Sequence, residues 1–538
     1  ILEKSLGPTH PEIAEVLQGL ADSQIQLGSL AEADKNYERT LSIQEEAFGP
    51  THVKVGESLL KLAKLNWRTG KWEAALDHSL TSEGVLRRQF IHIAPALSER
   101  EALQYEIARS SGVNLSISSL LALSGEARRQ AIPKVWDEII QSRALVLDEM
   151  AARHAAFTTS ADTEIARKAR ALTSSRNRLA RLVIEGPPQD DPSGYRKNLS
   201  AALSEKEQAE RDLAGSSSEF QRRSESRKGF QDVASSLPKQ AVLVAYLAYD
   251  RLGPPAEGRT SPAKRSYVAF ILPAGKAAPS VVELGEADAI DLMVQDWRNG
   301  MSPSASGITG LASRPEEQIA AAGAKLRKAV WDPLASEIKG ARMVFVVFDG
   351  ALNLVNLAAL PSNDGRFVLE SGPTLHYLGA ERDLARPRRT SSATGGLLAL
   401  GGPGFDASSA ASQEGGPVES ASMKPASKAH ATYRSAPIAC GGFPTMHFSP
   451  LAASTQEAQA IDSLWRSTSN RKATGPTLVL TGSAATEAAM KQRAPEFRVI
   501  HLATHGYFLG DRCDSSFELA RSAPEASRVA GPAGESPL

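Results

Sequence analysis

The first 90 residues show apolar positions at helical spacing, and the pattern repeats. The segment Gly7–His10 returns as Gly49–His52, a shift of 42 residues, and apolar positions such as Leu17 return at the same shift. In each unit a helical stripe is followed by a glycine, Gly28 in the first unit, and by a second helical stripe. Paired helices that repeat every 20–50 residues or so indicate an α-solenoid over residues 1–90.

The beginning of the chain fits the same repeat. Ile1–Glu3 aligns with Ile43–Glu45, which closes a unit. We therefore expect the chain to start inside a repeat and to be a fragment at this end. A solenoid of this kind offers either a concave surface for a protein partner or a rigid spacer for the domains that follow.

Residues 91–237 keep the helical spacing but lose the repeat. Apolar side chains over Trp136–Leu147 form one broad helical stripe, and a second segment, Ile165–Ile184, is rich in arginine and alanine. A run rich in proline and glycine then breaks the pattern. The charged stretch Tyr195–Arg227 carries leucines at the spacing of a coiled-coil-like hairpin, so we predict a helical region here.

From residue 238 the pattern changes to short apolar runs bounded by turn residues. These runs predict six strands before residue 380, namely Ala241–Leu247, Tyr267–Leu272, Ser280–Leu284, Met343–Phe348, Leu352–Val355 and Thr374–Leu378. Continuous runs such as Met343–Phe348 are typical of strands covered on both faces, as in a parallel α/β sheet. We predict a β-containing segment over residues 238–339 and an α/β domain over residues 340–538.

The C-terminal part alternates strand and helix patterns. Gly396–Gly401, Leu478–Leu480 and Arg498–Thr504 predict strands, and Ala485–Arg493 predicts a helix between the last two. Strand, helix and strand with short joins predict a parallel crossover. Residues 406–449 are rich in serine, alanine, glycine and proline, so we expect a mobile insert there.

The last strand pattern is followed at once by His505 and Gly506. A strand of a parallel sheet would deliver His505 to the carboxyl edge, where sites form in open α/β sheets. An imidazole there can take a thiol proton or protonate a leaving amine. Gly506 has no side chain, so its N–H can approach a developing oxyanion, an interaction of about 3–4 kcal/mol. The alternative is that His505 is a structural residue at a strand end.

Composition and charge restrict the choice further. Lys+Arg and Asp+Glu both total 61, and the basic residues of Ile165–Ile184 alternate with alanine and leucine, so we do not expect nucleic acid to bind. No apolar run approaches the roughly 18 residues of a membrane span. With only two cysteines we predict a cytoplasmic protein. No Cys/His group has metal-ligand spacing, so we predict no metal and no cofactor.

Residues from about 340 to the end resemble the CHAT peptidase domain, a caspase-like domain that occurs with tetratricopeptide repeats in bacterial proteins. The resemblance rests on Val344–Leu352, Leu357–Pro361, Leu478–Gly482, Ala485–Glu487 and above all His501–Gly506. The first 90 residues resemble the longer tetratricopeptide repeats of kinesin light chains. The chain departs from the CHAT pattern at Asn353 and Asn356, where the family usually has histidine and proline.

The resemblance implies that His505 is catalytic, that His501 is not, and that Gly506 donates to the oxyanion hole. It also implies a cysteine nucleophile in a Ser-Ala-Cys-type segment tens of residues past the His-Gly pair, and no such segment occurs before Leu538. We therefore expect this chain to be cut at this end too and to lack its nucleophile.

The two cysteines present do not suit the role. Cys513 lies only eight residues after His505, whereas a crossover to the next parallel strand needs about a dozen or more. The aspartates on either side would also raise the pKa of the Cys513 thiol. Cys440 lies in the predicted insert.

These patterns together predict a multidomain α + α/β chain. It consists of a tetratricopeptide-like α-solenoid (1–90), a helical region (91–237), a β-containing segment (238–339) and an incomplete caspase-like α/β domain with a mainly parallel sheet (340–538). The predicted function is a caspase-like cysteine endopeptidase that hydrolyses polypeptide substrates by a Cys-His dyad, with a protein partner on the repeats. The alternative is a non-catalytic scaffold with a degenerate caspase-like domain.

Overall fold

The computed structural model describes eleven stretches of the chain, residues 2–159, 163–185, 192–214, 228–253, 262–276, 278–301, 316–362, 364–386, 395–404, 451–467 and 475–504. His505, Gly506, Cys440, Cys513 and the predicted insert 406–449 lie outside these residues. The chain divides into two compact units, residues 1–175, 205–300 and 314–386 in the first and residues 176–204, 301–313 and 387–538 in the second.

The repeats form two helical pairs behind a short first helix. The helices are α1 (Leu2–Leu6), α2 (Pro11–Gln26), α3 (Leu30–Phe48), α4 (Val53–Arg68) and α5 (Trp72–Ile93). The repeated histidines cap two of them, because the Nδ1 atoms of His10 and His52 accept the N–H groups of Glu12 (3.3 Å) and Lys54 (3.2 Å). Gly28, with φ +82°, lets the chain turn after α2. The solenoid prediction is confirmed.

The middle region is helical, as predicted. It contains α6 (Glu99–Ala108), α7 (Val113–Ala122), α8 (Gly125–Ser142), α9 (Leu145–Thr159), α10 (Thr163–Glu185), α11 (Pro192–Ala214) and α12 (Phe230–Ser236). The single stripe expected over Trp136–Leu147 was wrong, because the chain breaks between α8 and α9 at Ala144, with φ +53°. Leu147 is accordingly 63% exposed, whereas Trp136 is fully buried. The helix α11 is described as far as Ala214, and the predicted continuation to Arg227 lies outside the described residues.

Charged side chains attach α11 to the start of α6. Arg100 donates from both Nε and Nη2 to the carboxylate of Glu207, at 3.0 Å for Nη2. Glu210 accepts the backbone N–H of Glu99 at 3.0 Å, which satisfies one of the free N–H groups at a helix start. Arg211 donates to Glu101 at 3.0 Å. These contacts attach the end of α11 to the first turn of α6.

The first sheet has five strands, β1 (Ala241–Arg251), β2 (Lys264–Pro273), β3 (Ser280–Glu286), β4 (Met343–Val347) and β5 (Thr374–Leu378). Their order is β3-β2-β1-β4-β5. The pairs β1–β2 and β2–β3 are antiparallel, and β1–β4 and β4–β5 are parallel. The helices around it are α13 (Ala287–Met301), α14 (Glu316–Val330), α15 (Ala335–Ile338) and α16 (Val368–Ser371).

Apolar cores cover both faces of this sheet, which explains the continuous apolar runs of its strands. On one face Phe270 of β2 and Phe345 of β4 share a core with Trp136 of α8 and Leu76 of the repeat helix α5. On the other face Val244 and Val346 pack with residues of α13 and α14, among them Trp297 and Leu326. The helical and sheet regions of this unit therefore form one packed body.

One predicted strand was wrong. Residues Gly350–Leu354 form a 3₁₀ helix instead of the strand expected at Leu352–Val355. The side chain of Asp349 accepts the N–H of Gly350, and Gly350 has φ +57°, so the backbone turns directly after β4. The alternation of leucine and asparagine over these residues is typical of a strand, but the N-cap Asp349 starts a 3₁₀ helix instead.

The second unit contains a parallel three-stranded sheet. Its strands are β6 (Leu397–Pro403), β7 (Thr477–Gly482) and β8 (Val499–Ala503), in the order β7-β6-β8. The helices α17 (Ala452–Ser467) and α18 (Glu487–Arg493) accompany it. Core residues from α17 and from the α18 segment lie on opposite faces of β6, at Ala399 and Leu400 respectively. The predicted parallel direction of the last two strands is confirmed, although β6 lies between them.

Candidate active site

The carboxyl ends of β6, β7 and β8 meet at one edge of the second sheet. All three strands are parallel, and they end at Pro403, Gly482 and Ala503. Thr504 is the last described residue at this edge, and His505 follows it in the sequence. The strand that precedes the predicted catalytic histidine is therefore present, and it ends two residues before that histidine. The positions of His505 and Gly506 themselves lie outside the described residues.

Two glycines at the end of β6 allow α17 to lie against the strand. A Cβ atom at Gly401 would lie 2.1 Å from the backbone oxygen of Ser454 and 2.8 Å from the Cβ of Ala458. Gly402 has φ +61°, and its N–H donates to the Ser454 hydroxyl at 2.8 Å. The glycine run therefore brings a helix close to the strand, and one of its N–H groups is already satisfied by that helix.

His501, the other histidine of the motif, lies in the middle of β8, opposite Ala399 of β6. Its Nε2 atom is 3.0 Å from Oε1 of Glu457 on α17. The imidazole therefore contacts a helix that covers one face of the sheet, and the residue does not lie at the carboxyl edge. This position agrees with a structural role for His501.

The motif after β7 starts the helix α18. The hydroxyl of Thr486 accepts the N–H of Ala489 at 3.1 Å, so Thr486 is the N-cap. Glu487 lies in the first turn, where a negative charge complements the helix dipole. The side chain of Ala485 is buried with Leu398 and Phe497. These motif residues position the crossover from β7 to β8.

The motif after β4 has a structural role in the first unit. Asp349 accepts the N–H groups of Ala248 (3.0 Å) and Gly350 (2.8 Å), which joins the ends of β1 and β4. The hydroxyl of Tyr267 accepts the N–H of Ala351 at 2.9 Å and donates to Asp291 at 2.8 Å. Burial, together with the hydrogen bond to Asp291, raises the pKa of Tyr267 above its usual value. Tyr267 is therefore a neutral donor at physiological pH.

The second motif of this unit, Leu357–Pro361, is hydrogen-bonded to Arg327 of α14. This side chain donates to the backbone oxygen of Pro361 at 2.5 Å and to Asp332 at 2.9 Å. At the two departures from the family pattern, Asn353 donates to the backbone oxygen of Gly350 and Asn356 accepts the N–H of Ala358. Both asparagines therefore make local turn contacts.

Sequence reasoning did not find two features of this region. The contact between His501 and Glu457 joins residues 44 positions apart, and nothing in their spacing marks it. The buried charges of the first unit, such as Glu381 and Arg382 after β5, were also not identified. Among the described residues, no group of three or more His, Cys, Asp or Glu side chains has the arrangement of a metal site.

Comparison with known families agrees with the geometry. Residues 320–530 match the model of the CHAT domain, a family with a caspase-like fold, and residues 12–83 match a tetratricopeptide repeat model. The two matches are those of a CHAT domain protein with tetratricopeptide repeats in its N-terminal part, and the chain is a multidomain protein of α and α/β regions. A search of curated proteins gave no match. The domain boundaries at residues 90, 237 and 339 stay predictions.

No helix among the described residues is long and apolar enough to span a membrane. Tetratricopeptide repeats generally mediate contacts between proteins, which is the coarse role that the match supports here.

Proposed function

We propose that this chain belongs to a cytoplasmic, caspase-like cysteine endopeptidase in which His505 is the general acid/base and Gly506 donates to the oxyanion. The observation that carries the proposal is the match to the CHAT domain over residues 320–530. The parallel sheet supports it, because β8 ends at Ala503 and directs the chain to the carboxyl edge just before His505.

In the proposed reaction His505 takes the proton of a cysteine thiol, and the thiolate sulfur attacks the carbonyl carbon of the substrate peptide. The N–H of Gly506 donates to the resulting oxyanion. The carbon–nitrogen bond then breaks while His505 returns its proton to the leaving amine. Water hydrolyses the thioester, with His505 again as the base.

Neither cysteine of this sequence is proposed as the nucleophile. Cys513 follows His505 by only eight residues. It stands in the sequence Asp511-Arg512-Cys513-Asp514. A parallel crossover needs about twelve residues or more, and nearby carboxylates oppose thiolate formation. Cys440 lies in a stretch of low sequence complexity. Alanine at either position should therefore leave cleavage unchanged.

The test compares the two histidines of the motif in the full-length gene product. Cleavage of unfolded casein is measured together with labelling by an acyloxymethyl ketone probe. We expect His505→Ala to lower cleavage by roughly 100-fold or more. The matched control His501→Ala should stay within about tenfold of the wild type, because that residue contacts Glu457 rather than the sheet edge. Retained cleavage by His505→Ala would refute the assignment.

For the repeats we propose docking of a protein partner, since the repeat match covers residues 12–83. The test is cross-linking of the intact protein in its native extract, followed by identification of the peptides joined to α2–α5. Cross-links confined to other regions would contradict it. A wild-type protein that captures a partner but neither cleaves casein nor reacts with the probe would favour the alternative, a non-catalytic scaffold.

A further inference from the structure

A chain of buried polar contacts links the repeat helix α5 to α8. Glu83 of α5 is fully buried and accepts from Arg109 at 2.9 Å and from the Ser142 hydroxyl at 2.9 Å. Arg87 of α5 donates from Nε to Glu138 of α8 at 2.9 Å, and both side chains are almost fully buried. Any shift of α5 along α8 therefore has to move charges that have little access to water.

The same chain of contacts continues at the end of α8. Arg143 donates to the backbone oxygen of Tyr246 in β1 at 2.9 Å, and its Nε atom is 3.7 Å from Oε2 of Glu381, just after β5. Arg382 donates to the backbone oxygen of Arg143 at 2.7 Å and also to Asp148 of α9. The residues after β5 are thus held by the turn between α8 and α9, together with Trp136 of α8, whose Nε1 atom donates to Glu381 at 3.3 Å.

This turn is not fully satisfied. Of eight buried side-chain atoms without a hydrogen-bond partner among the described residues, four lie here, namely Nε and Nη1 of Arg143, Oε2 of Glu381 and Nη1 of Arg382. Ala144 is one of the two non-glycine residues with positive φ in the described part of the chain. Buried polar atoms without hydrogen-bond partners and an alanine in the left-handed conformation both raise the free energy of the folded state. The two occur together at this turn.

A small movement of the Arg143 side chain towards Glu381 would satisfy two of these buried atoms. If the distance of 3.7 Å between Arg143 and Glu381 closed to hydrogen-bond length, an orphan donor and an orphan acceptor would be satisfied together. Arg143 directly precedes Ala144, so a backbone change at Ala144 would also move the Arg143 side chain. A second arrangement, in which Arg143 donates to Glu381, would therefore satisfy more of these buried atoms than the described one.

We propose that the turn between α8 and α9 is a two-position joint that couples the repeat helix α5 to the segment Gly379–Arg386 after β5. A protein bound to the repeats would act through it, and that use rests on the docking role proposed above. The coupling itself is a property of this chain. It needs no partner, no substrate and no catalytic histidine to be measured.

The test is hydrogen exchange of the intact protein, with one substitution made at two positions of α8. Glu138→Gln removes the charge that pairs with Arg87, and none of the described contacts of Glu138 reaches the reporter segment Gly379–Arg386. Its matched control, Glu126→Gln, replaces an exposed residue whose described contacts are with Arg129 and Gln130 of the same helix. The reporter amides are suitable because Gly379, Ala380 and Asp383 donate hydrogen bonds.

We expect Glu138→Gln to change exchange in Gly379–Arg386 about threefold or more, while β2 (Lys264–Pro273) stays as in the wild type. Glu126→Gln should change neither segment. Altered exchange in α5 and α8 alone would overturn the proposal, because it would show a local contact without coupling. A uniform increase over all segments would overturn it as well, since that is the result of simple destabilisation.

A milder variant covers the case in which Glu138→Gln does not fold. Arg87→Lys keeps the charge but loses the bidentate contact with Glu138, and it should change the same reporter in the same direction. No change in Gly379–Arg386 with a folded Arg87→Lys protein would again refute the joint. The exchange readout does not depend on cleavage, so this outcome is separate from the test of His505.

Discussion

A methyl group added at Gly401 should separate α17 from the second sheet. The new Cβ would lie 2.1 Å from the backbone oxygen of Ser454 and 2.8 Å from the Cβ of Ala458, both below the closest distance at which such atoms are found. Overpacking of this kind costs about 1–3 kcal/mol. Moving Ser454 also breaks its hydrogen bond to the N–H of Gly402, for roughly 1 kcal/mol more. We therefore expect Gly401→Ala to lower local stability by about 2–4 kcal/mol.

Hydrogen exchange of β6 and α17 measures this loss directly. At 1.4 kcal/mol per tenfold, exchange should rise by about 30- to 700-fold in both elements. The control is Gly482→Ala in β7, where φ is +56° but a Cβ would meet no atom within 4 Å. Backbone strain alone should cost about 1–2 kcal/mol there. Equal effects of the two variants would show that the close contact with α17 is absent, and the reasoning would fail.

Three further predictions concern the first unit. Glu83→Gln should cost roughly 3 kcal/mol at pH 7 in denaturant unfolding. Burial raises the pKa of Glu83, but the charge and hydrogen bonds of Arg109 and its neighbours outweigh burial, and the pKa in the folded protein is lowered. The ionised carboxylate therefore stabilises the fold, and this contribution is lost as the pH falls through the pKa of Glu83 in the folded protein. The free energy of unfolding of the variant should accordingly fall less steeply at acid pH than that of the wild type. Arg100→Ala and Glu207→Gln should couple by about 1 kcal/mol, less in high salt. Gly19→Ala should stabilise α2 by roughly 0.5–1 kcal/mol in thermal unfolding.

Periodicity alone predicted most of the elements. The period of 42 residues fixed the helical pairs of the repeats, and continuous apolar runs such as Met343–Phe348 marked the buried strands. Both signals depend on which face of an element is buried, and that is written in the local sequence. The position of β6 between β7 and β8 is a matter of tertiary pairing, and no local pattern contains it.

The misses have physical causes too. Ala144 is a strong helix former, so its own preference does not explain its left-handed conformation, and the neighbouring Arg143 makes a contact with β1 that no local pattern contains. The buried charges are long-range pairs, such as Arg143 with Glu381, and a sequence shows charges without showing their partners. The predicted site residues His505 and Gly506 come from resemblance to a family, whereas the strand that leads to them was readable from its apolar pattern.

The core on one face of the first sheet has a consequence for protein engineering. Leu76 of α5 is buried together with Trp136, Phe270 and Phe345, so a repeat helix forms part of the inner wall of the sheet domain. In a solenoid each repeat contacts mainly its neighbours, so exchanging the repeats is a direct way to change what such a protein binds. A chimaera joined before α5 would keep Leu76 in this core, whereas one joined after α5 would remove Leu76 and expose the core to solvent. Trp67 of α4 also packs with Leu115 of α7 and donates to the backbone oxygen of Gly253, so the useful junction lies at the turn between α3 and α4.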